Sequence, residues 1–425
     1  HFHLPVLILY YMLRFTYLLI YCLLVYLAIK ILPFGTWVFG ALALSPMCLI
    51  QASSISAVPV AFGMAFLFTA WVLKLNSEPS QEMTKKELLI TCLLTLSVGT
   101  LKTNMIFLLV LLLIIPKRKY AGKKTRIAVL VSAFLSIVLA LGWIYITSQI
   151  FTTDRESTGI YPTARLISIF TNPLEFIRNL SITLSGSLVT YYKQAIGISG
   201  YGYWLMPKLV YWMYPIVVLL ALFNEKDQVN LSLWQRIFFG LAGLFNIAMV
   251  FVIFFVAETP VDYVGIWGVQ GRYFNPFLPL LLIPFMFTLR FRLPSAVTGT
   301  LVTAVAMIAT VTLFLDFHAI CGSTWFNRNT CSYPYYKNWD PSTFESIEMD
   351  EDTAITQNLV VECNQLSQIQ IWVNHYEPVE GQKEFFVLET YDGKPLRTVW
   401  INSEDIPQSG WLVIDMPPTL HQRNQ

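Results

Sequence analysis

Gly268-Val269-Gln270-Gly271-Arg272-Tyr273-Phe274-Asn275-Pro276 leads directly into the apolar run 277–289. This stretch places a permanent cation, an amide and two glycines at the mouth of a segment that is apolar enough to enter a membrane. A charge in such a position is expensive unless an anionic group uses it. The stretch therefore predicts a polytopic membrane protein with a binding site at this point of the chain.

The composition also indicates a membrane protein. Of the 425 residues, 55% are hydrophobic and 13% are charged, and the mean hydropathy is +0.57. Soluble proteins carry about 25% charged residues. The basic residues lie in short clusters between apolar runs, so the net charge of +2 does not indicate nucleic acid as a partner.

Apolar runs of roughly membrane length predict a mainly α-helical bundle with about nine to ten membrane segments. They cover residues 15–32, 37–52, 57–73, 88–101, 105–115, 127–150, 210–223, 237–257, 273–289 and 296–315. Several, notably 105–115, are shorter than the ~20 residues of a full α-helical span. Short or broken helices persist at membrane depth only where protein or water satisfies their backbone groups, so we expect the bundle to enclose a cavity.

Clusters of lysine and arginine set the expected orientation, because loops that carry them stay on the cytoplasmic side. The clusters are Lys117, Arg118, Lys119, Lys123, Lys124 and Arg126, then Lys85 and Lys86, then Lys226 and Arg236, and finally Arg290 and Arg292. With these loops inside, the outer side receives residues 1–14, 151–208 and 258–272 and everything after Asp316.

The outer segment 151–208 is too polar to span a membrane and too apolar for a plain linker. Its apolar residues recur at helical spacing, which predicts amphipathic helices that lie along the membrane interface. The segment ends in a glycine-rich and aromatic turn, 197–207. An aromatic belt and a rim that faces a substrate account for this turn equally well.

The composition changes after Asp316, so we predict a transmembrane domain at 1–316 and a β-rich extracytoplasmic domain at 317–425. Five short runs separated by turn residues predict antiparallel strands of a small sandwich or jelly-roll piece. The runs are 355–361, 368–373, 385–388, 398–401 and 411–415. Because the chain begins with His1 and stops just after a strand-like run, we expect a fragment at both ends, with the β domain incomplete.

Arg272 is the strongest candidate for substrate binding, because its planar fork of donors suits phosphate and we expect the adjoining glycines to let a ligand approach the backbone closely. The alternative is an anchor that reaches outer headgroups. Gln270 would donate its amide to a sugar or phosphate oxygen. Lys102 separates runs 88–101 and 105–115, and if these are short helices that meet, it reaches the same cavity as Arg272. An ordinary polar turn explains Lys102 equally well. Arg14 is a third candidate cation, with a snorkelling anchor as its alternative.

Glu258 and Asp262 are the candidate catalytic carboxylates, since they share the outer loop with Arg272. Either would act as a general base or as a partner for the arginine. No zinc pattern, nucleophile elbow or phosphate-binding loop occurs in the sequence, which disfavours soluble hydrolase and nucleotidase chemistry. No metal ligands are predicted, and a divalent cation, Mg²⁺ or Mn²⁺, stays open as a cofactor.

Several motifs together resemble a family of bacterial predicted membrane proteins catalogued as a domain of unknown function. In chain order they are Leu42-Ala43-Leu44-Ser45-Pro46-Met47, Gln51-Ala52-Ser53-Ser54-Ile55-Ser56, Lys102, the turn 200–207 and Gly268-Val269-Gln270-Gly271-Arg272-Tyr273. That family is similar to the GT-C superfamily of polytopic glycosyltransferases. The resemblance covers residues 5–315, and the last motif is its most specific part.

The resemblance implies a polyprenyl-phosphate sugar donor at the outer face of the bacterial cytoplasmic membrane. The sugar would pass to a cell-envelope glycan or a lipid-linked acceptor. Arg272 and Lys102 would face the donor phosphate, with Gln270 and Tyr273 beside them. GT-C enzymes typically carry their catalytic acid on the first outer loop, so we expect the main base upstream of His1.

One departure from the family pattern affects the expected activity. The chain has Val58 in Ser54-Ile55-Ser56-Ala57-Val58-Pro59, where the resemblance implies an acidic residue. Two other functions therefore stay open. A transporter or flippase of lipid-linked glycans would need the same cavity and cations, although the inverted repeats typical of such proteins are not visible. The other is a catalytically inactive scaffold of the cell envelope.

Overall fold

The computed structural model describes residues 6–77, 82–150, 159–199, 204–223, 231–261, 263–286, 294–326, 365–374, 376–389 and 394–420. The chain divides into two compact units, His1–Val311 and Thr312–Gln425. The first unit is mainly helical, and the second contains four described strands.

The described α-helices, in chain order, are α1 (Val6–Ile31), α2 (Thr36–Ala43), α3 (Pro46–Ala52), α4 (Val58–Ser77), α5 (Lys85–Leu101), α6 (Lys123–Ile150), α7 (Pro162–Thr171), α8 (Pro173–Ile196), α9 (Lys208–Phe223), α10 (Leu233–Ala257), α11 (Leu278–Leu282) and α12 (Ser295–Phe326). The 3₁₀ helices are η1 (Thr103–Ile114), η2 (Lys117–Lys119), η3 (Gly271–Phe277), η4 (Ile283–Phe285) and η5 (Ser403–Asp405).

Five of the described helices are long and apolar enough to cross a membrane. They are Ile8–Ile31 in α1, Val58–Ser77, Lys123–Thr147 in α6, Leu233–Ala257 and Ser295–Leu315 in α12. The predicted mainly α membrane bundle is therefore confirmed. The other predicted runs form shorter or broken elements.

The run 37–52 is one of the broken elements, because Ser45 and Pro46 divide it into α2 and α3. Proline cannot continue a helix, but it is well placed in the first turn of the next one. Ser45 caps that turn, since its side-chain oxygen accepts a hydrogen bond from the Cys48 backbone N–H at 3.1 Å. These two helices have 8 and 7 residues, too few for a membrane span.

The pair α5 and η1 forms a closed hairpin with Lys102 at its tip. A hydrogen bond of 2.8 Å from the Met83 N–H to the Lys119 carbonyl joins the two open ends. The 17 residues of α5 cover about 25 Å at the α-helical rise. The 12 residues of η1 cover about 24 Å, because a 3₁₀ helix rises further per residue. As an α-helix, the 12 residues of η1 would be shorter than α5. As a 3₁₀ helix, they have about the same length as α5.

The run 273–289 also departs from a single helix, since its described part consists of η3, α11 and η4. Pro276, Pro279 and Pro284 each remove a backbone donor, which favours short tight turns over a continuous α-helix. The run 273–289 was predicted as a single membrane segment, and the general prediction of short or broken helices in the bundle applies to it as well.

Four strands make up the described β structure of the second unit. They are β3 (Gln365–Asn374), β4 (Lys383–Glu389), β5 (Pro395–Asn402) and β6 (Ser409–Leu420). Strand β3 pairs with β6 and β4 with β5, both antiparallel. Ile406, Leu412 and Ile414 form the core, and Phe386 and Val399 of the other sheet pack against it. Two sheets that share a core agree with the predicted sandwich piece, while the predicted strand 355–361 lies outside the described residues.

A further pair of short strands follows α8. Strands β1 (Ile198–Ser199) and β2 (Trp204–Leu205) pair antiparallel. The middle of the predicted glycine-rich and aromatic turn, residues 200–203, lies outside the described residues.

Candidate functional site

Tyr273 brings the two predicted cations together. Its ring lies 4.7 Å from the Lys102 Nζ and 5.5 Å from the Arg272 guanidinium carbon. Phe254 of α10 stacks on the same ring, with the centroids 5.1 Å apart. The hairpin tip and the start of η3 therefore meet near the end of α10, an arrangement that the sequence left open against an ordinary polar turn at Lys102.

Neither Lys102 nor Arg272 forms an ion pair with a carboxylate among the residues that the structure describes. Both Lys102 and Arg272 are half-buried. Burial lowers the pKa of Lys102 to about 8, and the positive charge of Arg272 lowers it as well. Two like charges that are partly removed from water favour an anion between them.

Anion binding at this pair is expected to weaken as the pH rises through about 8, the value at which Lys102 loses its proton in the free protein. The sign follows because the protonated amine attracts the anion and the neutral amine does not. Affinity for a polyprenyl-phosphate sugar, a phosphodiester of constant charge, should be measured by calorimetry on either side of this pH. A Lys102→Arg variant keeps its charge and should not weaken over this range. An equal pH response in both proteins would contradict the account.

The two glycines of the stretch serve the packing of the loop. Gly268 has φ +81°, which favours glycine, and a Cβ there would lie 3.1 Å from the Phe254 ring. A Cβ on Gly271 would meet the carbonyl oxygen of Tyr191 at 1.9 Å. The expectation that these glycines admit a ligand to the backbone is not needed to explain them, because one forms a turn and the other packs η3 on α8.

A polar stripe on α8 holds the loop that carries Arg272. The Asn179 side-chain oxygen accepts a hydrogen bond from the Gly265 N–H at 3.0 Å, and the Thr183 hydroxyl accepts one from the Ile266 N–H at 2.7 Å. Further along the helix, the Gln194 Oε1 accepts one from the Gly271 N–H at 2.7 Å. The three residues recur at helical spacing, so this pattern was present in the sequence. The prediction for segment 151–208 used only its apolar residues.

Gln194 is expected to position Arg272 through the adjoining residue. A Gln194→Leu variant leaves the Gly271 N–H without its acceptor, which should lower the free energy of unfolding by about 1–3 kcal/mol and also weaken anion binding. Thr190→Val is the matched control, because it removes a polar group from the exposed face of the same helix. Thermal unfolding in detergent and calorimetry measure the two effects. Wild-type behaviour of Gln194→Leu in both assays would refute this role.

Arg165 anchors the other end of the loop, a role that the sequence did not reveal. It is only 4% exposed and pairs with Glu175 at 2.8 Å. It also donates to the carbonyl oxygens of Pro260 and Val261, and its guanidinium lies 4.6 Å from the Phe255 ring. A buried arginine with this set of acceptors fixes the chain just after α10.

The remaining predicted residues contribute differently. Arg14 donates to the Ser53 carbonyl oxygen at 2.9 Å, so it ties α1 to the turn after α3. Glu258 is exposed at the end of α10 and forms no ion pair with any described residue. Gln270 is half-buried, directly before η3. Asp262 lies outside the described residues.

Two buried amides beside the cations escaped the sequence interpretation. Asn275 follows Arg272 by one 3₁₀ turn and is 2% exposed, and Asn104 follows Lys102 by two residues and is 8% exposed. The side-chain oxygen of each has no hydrogen-bond partner within the described residues. The Asn275 amide nitrogen donates to the Ala195 carbonyl oxygen at 3.0 Å. Each cation therefore has a neighbouring residue with a free acceptor.

The described residues do not fit a resident metal ion. No group of three His, Cys, Asp or Glu side chains converges anywhere within the described ranges. Val58, where the resemblance implied an acid, begins α4, and its backbone N–H donates to the Ser56 hydroxyl at 3.3 Å.

Comparison with known proteins gives one family. A family model described as a predicted membrane protein (DUF2142) matches residues 1–281. No curated protein and no solved structure matches the chain. The predicted membrane-protein family is confirmed, while the further likeness to GT-C enzymes stays a prediction. The match covers well over half of the chain, which therefore belongs to the DUF2142 family of predicted membrane proteins.

Proposed function

We propose that the protein is an integral membrane glycosyltransferase. In this proposal, a sugar moves from a polyprenyl-phosphate donor to a cell-envelope glycan or another acceptor on the outer face of the bacterial cytoplasmic membrane. The observation that carries the proposal is the pair Lys102 and Arg272, which both lie over the Tyr273 ring and have no carboxylate partner among the described residues. A phosphate diester supplies the missing negative charge.

The proposed reaction is an inverting displacement at the anomeric carbon of the donor. The acceptor hydroxyl oxygen forms the new bond to this carbon while the bond from the carbon to the phosphate oxygen breaks. A carboxylate takes the hydroxyl proton, and the lipid phosphate leaves with an added negative charge. Arg272 and Lys102 stabilise that charge, which is larger on the leaving phosphate than on the bound diester.

The amide acceptors support a sugar more than a bare phosphate. The unpartnered side-chain oxygens of Asn104 and Asn275 can accept hydrogen bonds from hydroxyl groups, which a sugar has and a phosphodiester group lacks. Buried acceptors without donors cost about 1–3 kcal/mol each, so a hydroxylated ligand would remove a real penalty. For the general base, the proposal names Glu258 and Asp262 as the candidates in this sequence.

A transporter of lipid-linked glycans is the second candidate, and one observation favours it. Both cations adjoin 3₁₀ segments, η1 and η3, and interrupted helices are typical of transporter binding sites. The same anion site would then carry its ligand across the membrane without breaking a bond.

One experiment separates the two functions. The full-length protein is reconstituted in vesicles with a polyprenyl-phosphate-linked sugar that is radiolabelled in the sugar, together with candidate acceptors. Transfer of label to a water-soluble or acceptor-linked product supports the glycosyltransferase. Movement of intact labelled lipid between the leaflets, without product, supports the transporter. If vesicles still bind the donor but show no transfer of label and no movement of labelled lipid, both proposals are overturned. The scaffold function would then be the remaining one.

A further inference from the structure

Helices α7 and α8 bury polar side chains and expose apolar ones. Arg165 is the buried residue of α7, and the buried set of α8 includes Asn179 and Thr183. The exposed large apolar side chains of the two helices are Leu166, Ile167, Phe170, Leu174, Ile177, Ile182, Leu184, Leu188, Val189 and Tyr192. A helix on the surface of a soluble protein has the reverse arrangement.

The exposed apolar face requires a cover. Phe170 is 80% exposed and Leu188 is 63% exposed. Removing one such side chain from water is worth about 1.5–3 kcal/mol, and the face carries many of them. The polar residues on the buried side cannot exchange places with the apolar ones, because Asn179, Thr183 and Gln194 hold the loop that contains Arg272.

The neighbouring elements indicate that lipid covers this face. Phe255 of α10, a candidate membrane span, contacts both Arg165 of α7 and Phe176 of α8. Helices α7 and α8 therefore pack directly on a candidate membrane span, and that span exposes large apolar side chains of its own, such as Leu241. The charged residues of α8 lie near its two ends, which leaves an uncharged stretch of about 20 Å in between. Arginine and lysine at such ends reach the headgroups with their charged tips.

We propose that α7 and α8 form a wall that contacts lipid, with acyl chains on the apolar face and the Arg272 loop on the polar face. The wall holds the Lys102 and Arg272 pair next to the bilayer, so that an anion attached to a lipid reaches it from the side. Sequence hydropathy alone does not place these helices among the candidate spans. Lipid contact holds whether or not the site transfers a sugar, so its failure and that of the proposed function are separate results.

Photocrosslinking tests the proposal in the full-length chain. A benzophenone amino acid is introduced at Leu188 and, in a second variant, at Phe170. The protein is reconstituted in vesicles of phosphatidylethanolamine and phosphatidylglycerol, irradiated and examined by mass spectrometry. Phe134, which is 67% exposed on the candidate span α6, serves as the positive control. Glu404, exposed in the strand-containing unit, serves as the negative control.

The expected result is a lipid adduct at Leu188 or Phe170 with a yield close to that at Phe134 and about tenfold above that at Glu404, as for a helix embedded at the acyl boundary. A crosslink to a second copy of the chain at both positions would overturn the proposal in favour of a protein interface. Lipid adducts at Phe134 alone would overturn it as well, since the wall would then face water.

Discussion

Replacing Arg272 with glutamine is expected to lower the affinity for a polyprenyl-phosphate sugar by about 10- to 100-fold, the usual worth of a hydrogen bond to a charged group. The reason is geometric as well as electrostatic. Arg272 and Lys102 flank one tyrosine ring, and neither has a described carboxylate that could take over as partner. Calorimetry on the protein in detergent measures the loss.

Arg272→Lys tests the geometry alone, because lysine keeps the charge and loses the planar fork. It should bind with an affinity between those of the wild type and Arg272→Gln. Arg126→Gln is the matched control, since Arg126 is exposed and follows Lys119 at the end of the hairpin opposite to Lys102. If Arg272→Gln and Arg126→Gln bound the donor equally well, Arg272 would be a headgroup anchor and not part of a site.

Replacing Gly271 with alanine is expected to destabilise the protein by about 1–3 kcal/mol or more, the range for overpacked sites. The added Cβ would lie 1.9 Å from the Tyr191 carbonyl oxygen and 2.9 Å from the Ala195 backbone nitrogen. Both are backbone atoms of α8, so no rotamer change can relieve the clash. Segment η3 has to move away from α8, and Arg272 moves with it. Donor affinity should therefore fall together with the thermal unfolding temperature.

Gly186→Ala is the control for this substitution, because Gly186 lies in α8, the helix that Gly271 packs against, and nothing lies within 4 Å of its Cβ position. Alanine favours a helix over glycine by up to about 1 kcal/mol, so Gly186→Ala should be neutral or slightly stabilising. Equal unfolding temperatures for Gly271→Ala and the wild type would show that η3 does not pack on α8 in this way.

The membrane bundle could be predicted because apolar runs and basic clusters are local patterns. The position of Lys102 between two of these runs allowed its convergence with Arg272, but the sequence could not distinguish this from an ordinary polar turn. The 3₁₀ conformation of η1 could not be predicted, since nothing in the sequence Thr103–Ile114 distinguishes a 3₁₀ helix from a short α-helix. The structure shows this conformation directly over Thr103–Ile114, and the hydrogen bond from Met83 to Lys119 shows that the ends of the hairpin meet.

The role of α8 was missed for a different reason. Asn179, Thr183 and Gln194 recur at helical spacing, but their acceptor atoms bind backbone groups more than 70 positions away in the chain. Backbone partners leave no mark on the sequence. For the same reason Gly271 was interpreted as an opening for a ligand, although its missing side chain makes room for the backbone of α8.

The central claim is that Lys102 and Arg272 act together as one phosphate site. A double-mutant cycle with Lys102→Gln, Arg272→Gln and the double variant tests it most directly, by calorimetry with a polyprenyl-phosphate sugar. The account predicts that each single variant weakens binding and that the two losses are not additive, with a coupling free energy of about 1 kcal/mol or more. Losses that simply add in the double variant would contradict it, as would a double variant that binds the lipid as tightly as the wild type.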